Sequence, residues 1–206
     1  MNLSENTKRA GDLRQALIDA GLELLQGGGA DALTLRRCAA RAGVSHAAPA
    51  HHFEGIEGLL TAIAASGYEM FAATMLDHLA RAPANKRDRL YSICEGYLKF
   101  AATNQALYGL MFNSGQINFC DPDLAAKSQA SFQILEQCCA PLQDTNTGPL
   151  TLEITVWSLL HGYCSFTKKG REGSSKHPAS RVPFQQLFDY VIPPQQPDVC
   201  SARGQT

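Results

Sequence analysis

From Leu13 to Val191 the apolar residues recur at three- and four-residue intervals, in runs cut by glycine and proline, and no run alternates as a strand does. The polar residues 1–10 are expected to form a flexible arm. Asp12 then suits an N-cap for a helix with Leu13, Leu17, Ala20 and Leu24 on one face, ended by Gly27-Gly28-Gly29. Thr34 is the next cap, opening a helix through Ala42 whose inward face is Leu35, Cys38, Ala39 and Ala42. Gly43 supplies a turn needing positive φ, Val44 plugs the junction, and Ser45 caps a further helix. A longer apolar-periodic helix follows from about Ile56 to Leu79, closed by Pro83. Five more are expected near 86–103, 104–113, 121–140, 148–168 and 181–191, separated by breakers such as Asp121-Pro122, Gly148-Pro149 and the polar run GREGSSKHP. The tail from Pro193 reads as disordered. The pattern predicts an all-α fold: an arm (1–10), a three-helix N-terminal domain (11–70), a larger helical domain (71–192) and a tail (193–206).

Composition narrows this picture. With 206 residues and 45% apolar side chains the chain is large enough for a substantial core. A net charge of −1 argues against a uniformly basic surface, so any contact with nucleic acid has to come from a local patch. The N-terminus has no apolar core of a secretion signal, and no stretch of about 18 uncharged apolar residues occurs; a cytoplasmic location is expected, with no membrane partner. The seven cysteines form no CxxC pair, and no His or carboxylate cluster at ligand spacing accompanies Cys138-Cys139. They read as small buried hydrophobes, and no metal or cofactor is expected. The glycine triplet lacks the following Gly-Lys-Ser/Thr of a phosphate loop and reads as a helix stop.

The local patch lies between Asp31 and Glu54, where TLRRCAARAGVSHAAPAHHF carries cations and histidines and no carboxylate. A helix, a glycine turn and a second helix is the layout that sets its second helix in the DNA major groove. Arg36, Arg37 and, less directly, Arg41 are the phosphate-neutralising groups, and the N–H groups opening each helix, from Thr34 and from Ser45, suit phosphate oxygens. His46 and Ala47 are expected on base edges, with His51 and His52 at the backbone or groove wall. Two alternatives stay open: the arginines are merely solvated, or His52 packs beside Phe53.

Three pieces of the chain, LRQALIDAGLELL, TLRRCAARAGVS and HHF followed by EGLLTAIA, resemble the TetR family of bacterial regulators. SHAAP at Ser45–Pro49, LYGLMF at Leu107–Phe112 and WSLLHG at Trp157–Gly162 are similar to one of its subgroups. The resemblance implies a homodimer whose two heads bind a palindromic operator, most often as a repressor, until a small molecule in the larger domain releases DNA. Relatives generally carry Tyr where Ala50 stands and Lys where Ile56 stands, and both usually touch phosphates. A family member with weakened or lost operator binding, acting through protein contacts, is therefore the alternative reading.

In the larger domain Tyr97, Tyr108, Met111, Phe112, Trp157 and His161 are candidates to line an apolar, ligand-binding pocket, which would take a lipophilic effector. Leu152, Val156, Leu159, Leu160, Phe184, Leu187, Phe188 and Val191 spread over more than one stripe of the last two helices and suggest a two-fold four-helix dimer interface. No constellation requires catalysis; Cys164 and His161, three apart, lack a third group to orient them. An imidazole titrates near pH 6.5 in water. DNA affinity is therefore expected to rise as the pH falls, which binding titrations across that range would check.

Overall fold

The computed structural model describes residues 3–144, 146, 148–167 and 181–194, with side chains described from Gly11 onward. These residues form eight α-helices: α1 Leu3–Gly28, α2 Leu35–Arg41, α3 Gly55–Ala80, α4 Lys86–Thr103, α5 Gln105–Asn113, α6 Pro122–Cys139, α7 Thr151–Thr167 and α8 Phe184–Val191. Among the described residues there is no strand. The stops lie where glycine and proline predict them. Gly29 follows α1 with φ 68°, its N–H bonded to the Leu25 carbonyl at 2.9 Å, and Asp121 caps α6 by accepting from the Leu124 N–H at 2.9 Å.

Three expectations need correction. The helix expected to open at Asp12 begins at Leu3, inside the stretch read as an arm. Glu5, Lys8, Arg9 and Ala10 are good helix formers, and Gly11, the one weak helix former beside them, does not break the run. The segment after Ser45 is a 3₁₀ helix, Ala48–His51, rather than an α-helix, and Ser45 does not cap it through its side chain. Pro49 has no N–H to return to Ser45; the Ala48 N–H does so instead, at 3.0 Å. Finally, Val156, Leu160, Phe184 and Phe188 are spent inside the protomer, so they do not form an outward face. The outward apolar residues on this side are Leu150, Ile154, Phe166 and Tyr190. The expected polar run GREGSSKHP and most of the tail lie outside the described residues.

The helix α3 is the axis of the molecule. It packs most heavily on α4 and α6, with further contacts to α1, α2 and α5, and runs without a break past position 70. By length and composition it is apolar enough to cross a membrane, yet most of that stretch is buried inside the protein. Its N-terminal half, through Leu59, Leu60 and Ile63, joins Leu17, Ile18 and Cys38 in the core under the small N-terminal helices. At the other end α8 is fastened to α4: Arg87 bonds Asp189 and donates to the Ile192 carbonyl at 2.8 Å, and its guanidinium lies 5.0 Å from the Phe188 ring.

Close approach of α3 to α4 depends on Gly96. A methyl group there would meet the Met75 Cα at 2.8 Å and the Thr74 carbonyl oxygen at 3.0 Å, both backbone atoms that cannot turn aside. At Gly67 the intruded atom is the Met111 Sδ at 2.6 Å, the mobile end of a side chain. Gly96→Ala is expected to lower the unfolding free energy by about 1–3 kcal/mol, and Gly67→Ala by clearly less, measured by urea denaturation of both variants.

Candidate functional site

Function can reside in two places: the exposed head formed by α2 and the 3₁₀ segment, and a cavity within the larger helical body. In the head, Thr34 caps α2 by accepting the Arg37 N–H at 3.2 Å. Cys38 and Ala39 are buried and Leu35 and Ala42 half-buried, which turns Arg36 and Arg37 to solvent with no ion-pair partner among the described residues. Gly43 makes the turn at φ 70°. Ser45, His46, Ala47 and His51 are exposed, while Ala48 and Pro49 are buried against the head. His52 is half-buried beside Phe53, ring centroids 6.4 Å apart, in keeping with the packing alternative. Arg41 differs from its neighbours, donating through Nε to Glu23 of α1 at 2.6 Å. Both partners of that pair are exposed, so it adds little stability, but it occupies the cation. Ala50 and Ile56 are both exposed, and neither brings a charge to the face.

The cavity holds about 360 Å³ and is walled by five helices. Tyr68, Phe71 and Met75 come from α3, Ile93 and Tyr97 from α4, and Phe112 from α5. Ser128, Gln129, Ser131, Phe132 and Leu135 come from α6, and Trp157 and Leu160 from α7. Phe119, in the loop before α6, also lines it and is 56% exposed, which places it at the mouth. Aromatic edges interlock around it: Phe71 meets Tyr97 at 4.9 Å and Phe132 meets Trp157 at 5.2 Å between centroids. No charged side chain is among the described lining residues.

Of the six residues expected to line a pocket, Tyr97, Phe112 and Trp157 do so. Met111 is fully buried and fills the space over Gly67 instead. Tyr108 and His161 stand behind the wall as a hydrogen-bonded chain: the Tyr97 hydroxyl to the Tyr108 hydroxyl at 2.9 Å, and Tyr108 to His161 Nδ1 at 2.8 Å. Periodicity marks Phe71, Met75, Phe132 and Leu160 only as inward-facing; nothing in it separates a residue on a cavity from one in solid core.

Burial governs ionisation here. It pushes Tyr97 and Tyr108 well above the ordinary tyrosine value and Tyr68 up to about 12. It raises the Cys164 thiol to about 11, so that group is no nucleophile at neutral pH. It lowers His161 below its usual 6.5, which keeps the imidazole neutral. The unfolded chain takes up a proton near pH 6.5 that folded His161 refuses, so this contribution is complete above pH 6.5 and falls away on acidification. Stability is therefore expected to drop between pH 7 and 5.5, and His161→Gln should flatten that slope in denaturant titrations at each pH.

Comparison with known proteins adds to this geometry. Residues 17–63 match the model of bacterial regulatory proteins of the tetR family, and residues 90–191 match the model of a tetracyclin repressor-like C-terminal domain. Among solved structures, the chain is similar to a protein of unknown function from Rhodococcus sp. RHA1, at 26% identity and TM-score 0.71, over 87% of this chain and 93% of that one. It is also similar in fold to the TetR-like transcriptional regulator LfrR from Mycobacterium smegmatis in complex with proflavine, at 18% identity, TM-score 0.55 and coverage of 87% and 92%. The transcriptional regulator FadR from Bacillus subtilis, in complex with stearoyl-CoA, is a third, at 12% identity, TM-score 0.63 and coverage of 87% and 97%. No curated protein matches the sequence.

Proposed function

The chain belongs to the TetR family of bacterial regulatory proteins, which are transcription regulators and not enzymes, and from that premise we propose a ligand-responsive, sequence-specific DNA-binding role. In this reading it is a cytoplasmic homodimeric repressor, released from a palindromic operator when a small lipophilic effector fills the cavity. The observation that carries the reading is α3. One unbroken helix carries Ile56 in its first turn, beside the exposed head, and supplies Tyr68, Phe71 and Met75 to the cavity wall about 18–28 Å further on, at about 1.5 Å per residue.

Phosphate contacts would come from Arg36, Arg37 and the N-terminus of α2 at Thr34, with Ser45, His46, Ala47 and His51 presented beside them. His52, turned toward Phe53, contributes less. That LfrR and FadR were solved with small molecules supports an effector for this chain as well. The dimer reading draws support from α7, where Ile154, Ser158 and Phe166 are exposed and Gly162 is half-buried with open space beside it, four residues apart on one stripe. Small residues between two large apolar ones let a second copy of the helix approach closely.

A role in protein contact in place of operator binding is the second reading, favoured by Ile56, which is 39% exposed and offers a phosphate no charge. A gel shift at low salt, using DNA upstream of the protein's own gene, separates the two. The first reading expects a complex. Arg36→Ala and Arg37→Ala should each make the slope of log affinity against log salt shallower, by about 0.9 for every phosphate no longer neutralised. Ala50→Tyr with Ile56→Lys is expected to tighten the complex further. Binding that appears only after that double substitution supports the second reading, and no binding in either form overturns the first.

A further inference from the structure

Among the described lining residues, every polar group except one is either engaged within the protein or open to solvent. The Tyr97 hydroxyl bonds that of Tyr108 at 2.9 Å and accepts from the Trp157 indole N–H. The Ser128 hydroxyl donates to the Ala125 carbonyl at 3.1 Å, and the Ser131 hydroxyl to the Ser128 carbonyl at 2.7 Å. Gln129 is exposed, so water reaches its amide. Tyr68 is the exception. It is only 6% exposed, yet its hydroxyl bonds no described residue. A buried tyrosine hydroxyl ordinarily finds a partner, and here the protein supplies none.

The place of that hydroxyl is fixed. Phe112 meets the Tyr68 ring edge-on, 5.5 Å between centroids. Among the described residues no fully enclosed side-chain polar atom lacks a partner, so the hydroxyl is not walled in; it opens on the cavity that Tyr68 lines. Burial keeps the phenol protonated, its pKa pushed up to about 12, and a phenol O–H donates more strongly than its oxygen accepts. With no charged side chain among the described lining residues, an ion inside would lose its hydration without a counter-charge.

We infer that Tyr68 is the polar anchor of the effector, an uncharged and largely apolar molecule whose carbonyl or ring nitrogen accepts a hydrogen bond from the Tyr68 hydroxyl. This rests on the effector reading of the cavity proposed above. The anchor stands on α3, the helix whose first turn lies beside the head, and it is the polar residue that α3 gives to the described lining. An occupant is thereby bonded to the member that head and cavity share.

Equilibrium dialysis of the full chain with three probes of one ring size tests this: 2-acetylnaphthalene, 2-isopropylnaphthalene and 2-naphthoate. Each probe is compared between wild type and Tyr68→Phe, so that its own hydration cancels. Tyr68→Phe is expected to weaken the ketone about three- to tenfold and to leave the hydrocarbon within about twofold. In the wild type 2-naphthoate should bind at least about tenfold more weakly than the ketone. Infrared spectroscopy gives a reading that needs no variant: the carbonyl stretch of the bound ketone should lie below its value in hexane. That lowering should vanish in Tyr68→Phe and persist in Gln129→Leu. A carbonyl stretch unmoved from hexane, a lowering lost in Gln129→Leu instead, or equal effects of Tyr68→Phe on ketone and hydrocarbon overturns the inference and leaves the cavity reading standing. So does binding of the hydrocarbon alone, or of 2-naphthoate as tightly as the ketone. If none of the three probes binds, the effector reading of the cavity falls and takes the inference with it.

Discussion

Burial of α3 around almost its whole circumference is the constraint from which the rest of the molecule follows. Thr61, Ala62, Ile63, Ala64 and Ala65 are buried in succession, more than a full turn with no face left to water. A helix apolar on all sides is stable only when other helices enclose it. Here α1 and α2 enclose its first turns and α4, α5 and α6 the remainder. The alanines and Gly67 keep the neighbours close, and Gly96 on the facing helix lets the α4 backbone meet that of α3. The same helix belongs to two cores, so the head and the cavity are not separate bodies joined by a linker. They share a rigid member.

Much of this is legible in the chain because its helices end at residues that cannot continue them. The α4 boundaries follow from Asn85, whose side chain accepts from the Arg87 and Asp88 N–H groups, and from the Asn104 stop. The α6 start follows from Asp121-Pro122. What the spacing does not carry obeys a different physics. Apolar spacing around Pro49 is compatible with an α-helix, and only the missing N–H tips a four-residue segment into 3₁₀ geometry. In the cavity, Tyr97, Phe112 and Trp157 stand out as aromatic residues on apolar faces, and Met111 gives the same signal yet fills solid core. Whether an inward side chain meets a neighbour or a void depends on the summed volumes of five helices. Spacing along one helix carries no such information. Val156, Leu160, Phe184 and Phe188 mislead in the same way, since all four are buried within the protomer, Phe188 against Tyr91, Phe184 against Tyr163 and Leu160 on the cavity wall.

The head shows how little charge is left once local pairing is counted. Of the three arginines of α2, Arg41 is held by Glu23, leaving Arg36 and Arg37 facing solvent. Arg14 is drawn over the Phe53 ring at 5.4 Å, tying α1 to the end of the 3₁₀ segment. A head with few free cations gains less from phosphate neutralisation, so shape and backbone N–H groups must carry a larger share of any affinity for a duplex. The Thr34 cap then does more than open α2. It orients the α2 N-terminus, whose N–H groups are the donors that no change of side chain removes.

A second strut joins the cavity to the head. In the loop between α5 and α6, Ile117 is buried in the core, the Asn118 N–H donates to the Thr61 hydroxyl of α3 at 3.0 Å, and Phe119 lines the cavity mouth. Three consecutive residues thus touch core, head-side helix and cavity. Lys127 bridges Asp123 on its own helix and Glu69 on α3, each at 3.3 Å, one residue before Ser128 of the cavity wall. Packed interiors shift between discrete arrangements instead of compressing. An occupant that displaces α6 or Phe119 therefore works against Glu69 and Thr61 on the helix that head and cavity share. The direction of that displacement is set by which side of the cavity yields. The wall of α3 is locked to α4 through the backbone contact at Gly96 and packs heavily on α6 as well, so a displacement on either side bears on the helix that reaches the head.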